Sequence, residues 1–146
     1  MSDCCAHLMV STDSSGTGGA AVELVIGPTT LDMIQAALDA FWSRNEQVPR
    51  RVRLEVGIAV AEVAGNILEH SKATRLNLEI ELNTNRVQVD FVDDGHPAEV
   101  NLMSAGMPDE MSEQGRGLAL ALSSLSGLSY WHDSFGNHWS LTSAPF

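Results

Sequence analysis

Cysteine is nearly missing from this chain: Cys4 and Cys5 are the whole complement. Neighbouring cysteines seldom bridge each other, and two thiols do not complete a zinc site by themselves, so neither a disulfide framework nor a Cys-based metal knuckle is expected. The pair, with His7 nearby, is assigned no role. Basic residues are scarce too, with 8 Lys+Arg against 19 Asp+Glu and a formal net charge of −11. A field of that sign repels phosphate backbones and anionic lipid, so neither nucleic acid nor membrane is expected as a partner. A single nucleotide is still permitted, because local dipoles and a metal ion can cancel its charge. No apolar run reaches the ~18 residues that crossing a bilayer requires. The opening MSDCCAHLMV lacks the basic start and long apolar stretch of a signal peptide, so a cytoplasmic protein is expected. No internal repeat is visible.

What remains is enough for one domain. The chain has 146 residues, 44 % of them hydrophobic, which supports a packed core without staples. Residues 1–19 are rich in Ser and Gly and read as a flexible tail, leaving 20–146 as the domain. AVELVIG reads as a strand over 20–27. Pro28 and Thr29 or Thr30 then start a helix, with Leu31, Ile34, Leu38 and Phe41 or Trp42 in helical spacing to residue 44. Pro49 opens a longer helix over 48–71, whose apolar stripe is Val52, Val56, Ala59, Val60, Val63, Ile67 and Leu68. RLNLEIEL (75–82) and RVQVDFVD (86–93) alternate apolar with polar residues about the Asn83-Thr84-Asn85 turn and read as a hairpin. Residues 94–114 lose periodicity and carry Gly95, Pro97, Gly106 and Pro108; a loop of that length in a small domain is usually functional. A helix follows over 115–125, then a closing hairpin over 128–133 and 138–143.

Three clusters carry candidate chemistry. Glu62 and Asn66 are four apart on the second helix and share a face, a carboxylate beside a carboxamide suited to orienting water and binding a hard cation. Taken alone, the plainer reading is a solvated face with a helix-to-helix contact at Gly65. Asp93-Asp94-Gly95-His96-Pro97 ends a strand: a carboxylate there can accept from an exocyclic amine such as that of adenine, and Gly95 lets backbone approach a ring. An ordinary Asp-Gly turn would look the same. Gly115-Arg116-Gly117-Leu118 opens a helix, and free N–H groups at a helix start attract phosphate. A joint that needs glycine for packing is the alternative. Trp131, Trp139, Phe135 and Tyr130 gather near the last hairpin and read as core or a sheet-face patch rather than a ligand cage.

The order of the clusters says more than any one of them. It resembles the GHKL (Bergerat-fold, histidine-kinase-like) ATPases, and within them the anti-sigma-factor serine/threonine kinases, over roughly residues 20–143. Glu62 through His70 is similar to that branch's N box. Asp93-Asp94-Gly95-His96-Pro97 is similar to the first glycine box, and Gly115 through Leu120 to the second. The resemblance implies an α/β two-layer sandwich, with a mixed, mostly antiparallel sheet and helices on one face. It implies ATP and Mg²⁺ as ligands, with Asn66 holding the metal and Glu62 acting as general base. Asp93 would bond the adenine amine, with Gly95 beside the base. Residues 95–114 would form a lid, and Gly115, Arg116, Gly117 and Leu118 would meet the phosphates. His70 ends the N-box helix with no role assigned beyond a favourable place in the helix dipole.

By the same resemblance the acceptor is a Ser or Thr hydroxyl on a STAS-domain anti-sigma-factor antagonist. The second partner is a sigma factor or other regulatory protein, and homodimerisation is implied. Phosphorylation adds a charge of about −1.5 to −2, enough to break a docked interface, so the function would be partner switching. Two departures stand out. Pro97 replaces the second glycine of the general box, as it also does in the anti-sigma branch. The lid is short and has no glycine-rich run of its own before Gly115, which suggests slow turnover. The competing expectation is a nucleotide-gated or nucleotide-free binding module that sequesters a partner without phosphorylating it. The retained Glu62 favours the kinase, since a pure binder needs no base.

Overall fold

The computed structural model describes residues 6–12, 18–97, 123 and 125–146. Six strands form one sheet: β1 (Ala6–Thr12), β2 (Gly18–Val25), β3 (Arg75–Asn83), β4 (Arg86–Asp93), β5 (Leu125–Asp133) and β6 (Gly136–Ser143). Their order across the sheet is β1-β2-β3-β4-β6-β5. Every pairing is antiparallel, the extreme of the mostly antiparallel sheet expected. Two helices, α1 (Thr30–Arg44) and α2 (Arg50–Asn66), are inserted between β2 and β3, and α2 runs on into a π turn, Ile67–Ser71.

Alternation decides which face the helices cover. On β3, Leu76, Leu78, Ile80 and Leu82 are buried while Arg75, Asn77, Glu79 and Glu81 face outward. Val87, Val89 and Phe91 continue the inner row on β4, Trp139 and Leu141 on β6, and Ala20, Val22 and Leu24 on β2. Against this row pack Ile34, Ala37, Leu38, Phe41 and Trp42 of α1, and Val52, Val56, Ala59, Val60 and Val63 of α2. The result is a two-layer α/β sandwich with its helices on one side of the sheet. Phe41 meets Trp42 edge-on at 5.3 Å, and Arg53 lies 5.9 Å from the Trp42 ring while bonding the carbonyls of Val48 and Glu46. That guanidinium ties the start of α2 to the end of α1.

The expected tail needs correction. Residues 6–12 form β1 and pair with β2 from Ala6↔Leu24 to Thr12↔Gly18. The Ser/Gly-rich stretch after them therefore joins two paired strands, and the sheet begins well before residue 20. A strand held by main-chain hydrogen bonds at a sheet edge needs little of its own side-chain pattern, so composition hid it. The helix expected over 48–71 splits at Asn66, where the last turn widens to π geometry and stops at Lys72, in the left-handed region at φ 56. The first helix spans 30–44 as the spacing predicts. Leu125, expected at the end of a helix, begins β5. Among the described residues no helix is long and apolar enough to cross a membrane.

Candidate functional site

The inner row of β4 does not end on an apolar side chain. Val87, Val89 and Phe91 are followed on the same face by Asp93, which is 1 % exposed. The inner row of β6 starts likewise, with Asn137 before Trp139 and Leu141, and Asn137 is also 1 % exposed. The two stand directly opposite each other in the β4–β6 register. A carboxylate and a carboxamide are thus placed side by side at the edge of the core, where each must find partners.

Their partners are unevenly shared. Asp93 Oδ1 accepts from the Gly95 N–H at 2.8 Å and from Asn137 Nδ2 at 2.9 Å. Asp93 Oδ2 is buried and has no partner among the described residues. Leaving such an atom unpaired costs about 1–3 kcal/mol, and more for a charged group. The atom is therefore an open acceptor at a strand end, the chemistry that an exocyclic amine would satisfy.

Asp94, next in sequence, does something else. The strand alternation turns it outward. Its Oδ1 accepts from the N–H groups of Thr74 and Arg75 at 2.7 and 3.0 Å, and its Oδ2 from the Thr74 hydroxyl at 2.7 Å. The Arg75 N–H is the largest cause holding its carboxyl below the usual 3.8; desolvation opposes it, and each Thr74 bond adds a smaller lowering effect. The two carboxylates that look alike in sequence are thus a core acceptor and a surface clasp between β3 and the end of β4. A depressed acid stabilises the fold above its unfolded value and loses that contribution as pH falls through the folded one. Asp94 is well exposed, so solvent screening keeps the effect small. Asp94→Ala should melt below the unaltered protein at pH 7. The gap should narrow as pH falls below 3.8, a trend that melting scans across that range would show.

Gly95 and Gly136 are the two glycines that this corner cannot replace. A Cβ on Gly95 would lie 2.3 Å from the Ser71 carbonyl oxygen, and the His96 N–H donates to that same carbonyl at 2.6 Å. Gly95 thus lets the segment leaving Asp93 lie against the end of the π turn. Gly136 has φ +125, and a Cβ there would come within 2.1 Å of the Asp93 carbonyl oxygen. Gly65 behaves differently: nothing among the described residues lies within 4 Å of an added Cβ.

The first cluster abuts this corner through the π turn. Glu62 and Asn66 are both half-buried on α2, four residues apart, and Asn66 is the last residue before the turn. The Asn66 Nδ2 is buried without a partner among the described residues, and so is one oxygen of Glu55, which stands on the same side of α2. Glu55 was not singled out from the sequence; its other oxygen lies 3.7 Å from Arg51. His70 is exposed at the end of the π turn, 3.6 Å from a Glu69 oxygen. Gly115, Arg116, Gly117 and Leu118 lie outside the described residues, as does most of the expected lid. The aromatic group divides: Trp139 is core, Tyr130 packs on it at 4.7 Å, and Trp131 stacks on His138 on the open sheet face. Phe135 stands 80 % exposed at the hairpin tip.

Sequence comparison agrees with this fold. Residues 27–142 match the histidine kinase-like ATPase domain family. The chain belongs to that family. Among solved structures, this ATPase domain is similar to the histidine kinase domain from Erythrobacter litoralis EL346 blue-light activated histidine kinase, with a TM-score of 0.51. The identity is 19 %, over 77 % of this chain and 58 % of that one, so the likeness is one of fold. No curated protein matches the chain significantly. Membership in the family implies an ATP-binding domain, typically with Mg²⁺.

Asn137, the buried partner of Asp93, is the residue of this corner that sequence reasoning missed. It was assigned to a hairpin turn. The signal was nonetheless present: counting back by two from the apolar Leu141 and Trp139 lands on Asn137, a polar residue on the buried register.

Proposed function

We propose that this ATPase domain binds ATP with Mg²⁺ and transfers the γ-phosphate to a Ser or Thr hydroxyl of a protein, in the manner of the anti-sigma-factor kinases. The observation that carries the nucleotide part is Asp93 Oδ2, a buried acceptor without a partner among the described residues, beside the end of the Glu62/Asn66 helix. Nothing among the described residues conflicts with the ligands. Asn66 offers a carboxamide oxygen, and Mg²⁺ characteristically takes one or two protein oxygens and fills its shell with phosphate and water. The metal, when bound, would neutralise charge on the phosphates. Asp93 would fix the ring through its amine, and Glu62 would take the proton of the acceptor hydroxyl as it attacks. Gly115, Arg116, Gly117 and Leu118 would supply N–H groups to the phosphates.

The substrate and consequence follow from the resemblance of the three motifs to the anti-sigma branch. A STAS-domain antagonist would be phosphorylated, and a sigma factor or other regulator would be held or released. The net charge of −11 suits a partner surface that is basic.

MgATP should raise the melting temperature. Binding to the folded state alone stabilises by about 2.7 kcal/mol at a hundredfold excess over Kd. Asp93→Asn, which turns an acceptor-only group into one that also presents donors, should reduce that shift. A flat melting temperature in millimolar MgATP would refute nucleotide binding. An undiminished shift in Asp93→Asn would refute the assignment of the ring to this acceptor.

A further inference from the structure

We infer that Asn137 is the positioning residue that sets Asp93 for the purine ring, holding one carboxylate oxygen so that the other stays bare for the ring amine. The inference rests on the nucleotide reading above and adds to it the device that selects the ring. Asn137 Nδ2 donates to Asp93 Oδ1 at 2.9 Å, to the His96 carbonyl at 2.8 Å and to the Gly95 carbonyl at 3.3 Å. Its Oδ1 faces the Tyr130 hydroxyl and His132 Nδ1, at 2.5 and 2.9 Å. This arrangement leaves the amide one sensible orientation. One end meets only acceptors, a carboxylate and two carbonyls, and so must be the NH₂ group. The other meets a hydroxyl and a ring nitrogen that can donate, and so must be the oxygen.

Three consequences follow from that orientation. Asp93 Oδ1 is occupied twice, by Asn137 and the Gly95 N–H, which fixes the carboxylate plane and leaves Oδ2 without a partner among the described residues. The segment leaving Asp93 is fastened by its carbonyls to the same amide, so its path and the carboxylate are set together. The β5 strand enters the site at second hand, because Tyr130 and His132 hold the amide that holds the carboxylate. Asp93 and Asn137 are buried, so water does not compete for the bond between them, whereas Tyr130 is half-buried and His132 exposed.

The discriminating pair of ligands is ATP and ITP, which differ at ring carbon 6 by an amine against an oxygen. A fixed, bare carboxylate oxygen favours the amine and repels the oxygen. The unaltered protein should therefore prefer MgATP over MgITP by ~10-fold or more, the worth of one hydrogen bond to a charged group. Asn137→Asp keeps the shape but replaces the donor with an acceptor facing Asp93, and the preference should collapse toward unity. Tyr130→Phe keeps the ring on Trp139 and removes only the hydroxyl that anchors Asn137; the preference should fall by a few-fold.

The measurement is titration of both nucleotides on all three proteins, with a melting scan of each. An Asn137→Asp protein that melts lower yet keeps the full preference would show a merely structural prop and overturn the inference. If Asn137→Asp does not fold, Tyr130→Phe decides, and an unchanged preference there overturns it as well. A protein whose wild-type form binds neither nucleotide would remove the nucleotide reading and this inference with it. Wild-type discrimination with an unmoved ratio in both variants would remove this inference alone.

Discussion

Glu62→Gln should leave ATP affinity within a few-fold of the unaltered protein and lower phosphoryl transfer by ~10²–10⁴, the usual contribution of a general base. The two residues of the helix cluster face the same way, but the proposed reaction asks different things of them. Asn66 offers a neutral oxygen, which matters from the moment a metal-bound triphosphate docks. Glu62 matters only while a hydroxyl loses its proton to attack. Replacing its carboxylate by an amide of the same shape removes the proton acceptor and little else. Asn66→Ala should therefore lose affinity and transfer together. The check is a paired measurement, nucleotide titration and single-turnover transfer to a STAS-domain acceptor, on both variants. Full transfer by Glu62→Gln would defeat the general-base role and leave a nucleotide-gated binder, which holds its partner without modifying it.

Gly136→Ala should be among the most damaging substitutions in the sheet, at about 2–5 kcal/mol. Two independent penalties coincide there. The backbone at φ +125 is one that a residue with a side chain rarely adopts, and the new Cβ would sit 2.1 Å from the Asp93 carbonyl oxygen. That neighbour is main chain, paired with Asn137 at the end of the β4–β6 ladder, so it cannot swing aside as a side chain could. A domain of this size has only ~5–15 kcal/mol of stability to lose, and the melting temperature should drop by roughly 10 °C or more. Gly57→Ala is the natural control. It lies within α2, nothing among the described residues comes within 4 Å of an added Cβ, and alanine is the better helix former by up to ~1 kcal/mol. Its melting temperature should hold or rise. Equal losses at both positions would mean that the tight contact at Gly136 relaxes at little cost.

Much of the fold was legible because it rests on periodicity. Leu76, Leu78, Ile80 and Leu82 alternate without a break, as do Val87, Val89 and Phe91, so β3 and β4 were readable to within a residue. The spacing of Ile34, Leu38 and Phe41 likewise defined α1. Where one apolar stretch suits two structures, local pattern was insufficient. Leu125 reads equally as the end of a helix or the start of a strand, and its pairing with Ser143 decided the matter. The widening of α2 into a π turn had no signature in Ile67–Ser71 that distinguishes it from an ordinary last turn.

The sequence by itself determined which chemical groups this protein has and their order: a Glu/Asn helix, an Asp-ended strand, a Gly-Arg-Gly motif, and an acidic balance that disfavours polyanionic partners. Those are properties of residue type and spacing, carried by the chain whatever its contacts. The tertiary structure decided which of two adjacent carboxylates turns inward, since Asp93 and Asp94 differ only in strand parity. It also decided that Asn137 stands opposite Asp93 across 44 residues of chain, and that Gly95 lies against Ser71 and Gly136 against Asp93. Pairing between strands is set by sheet register, and register is a property of the whole packed layer that no local window of residues contains.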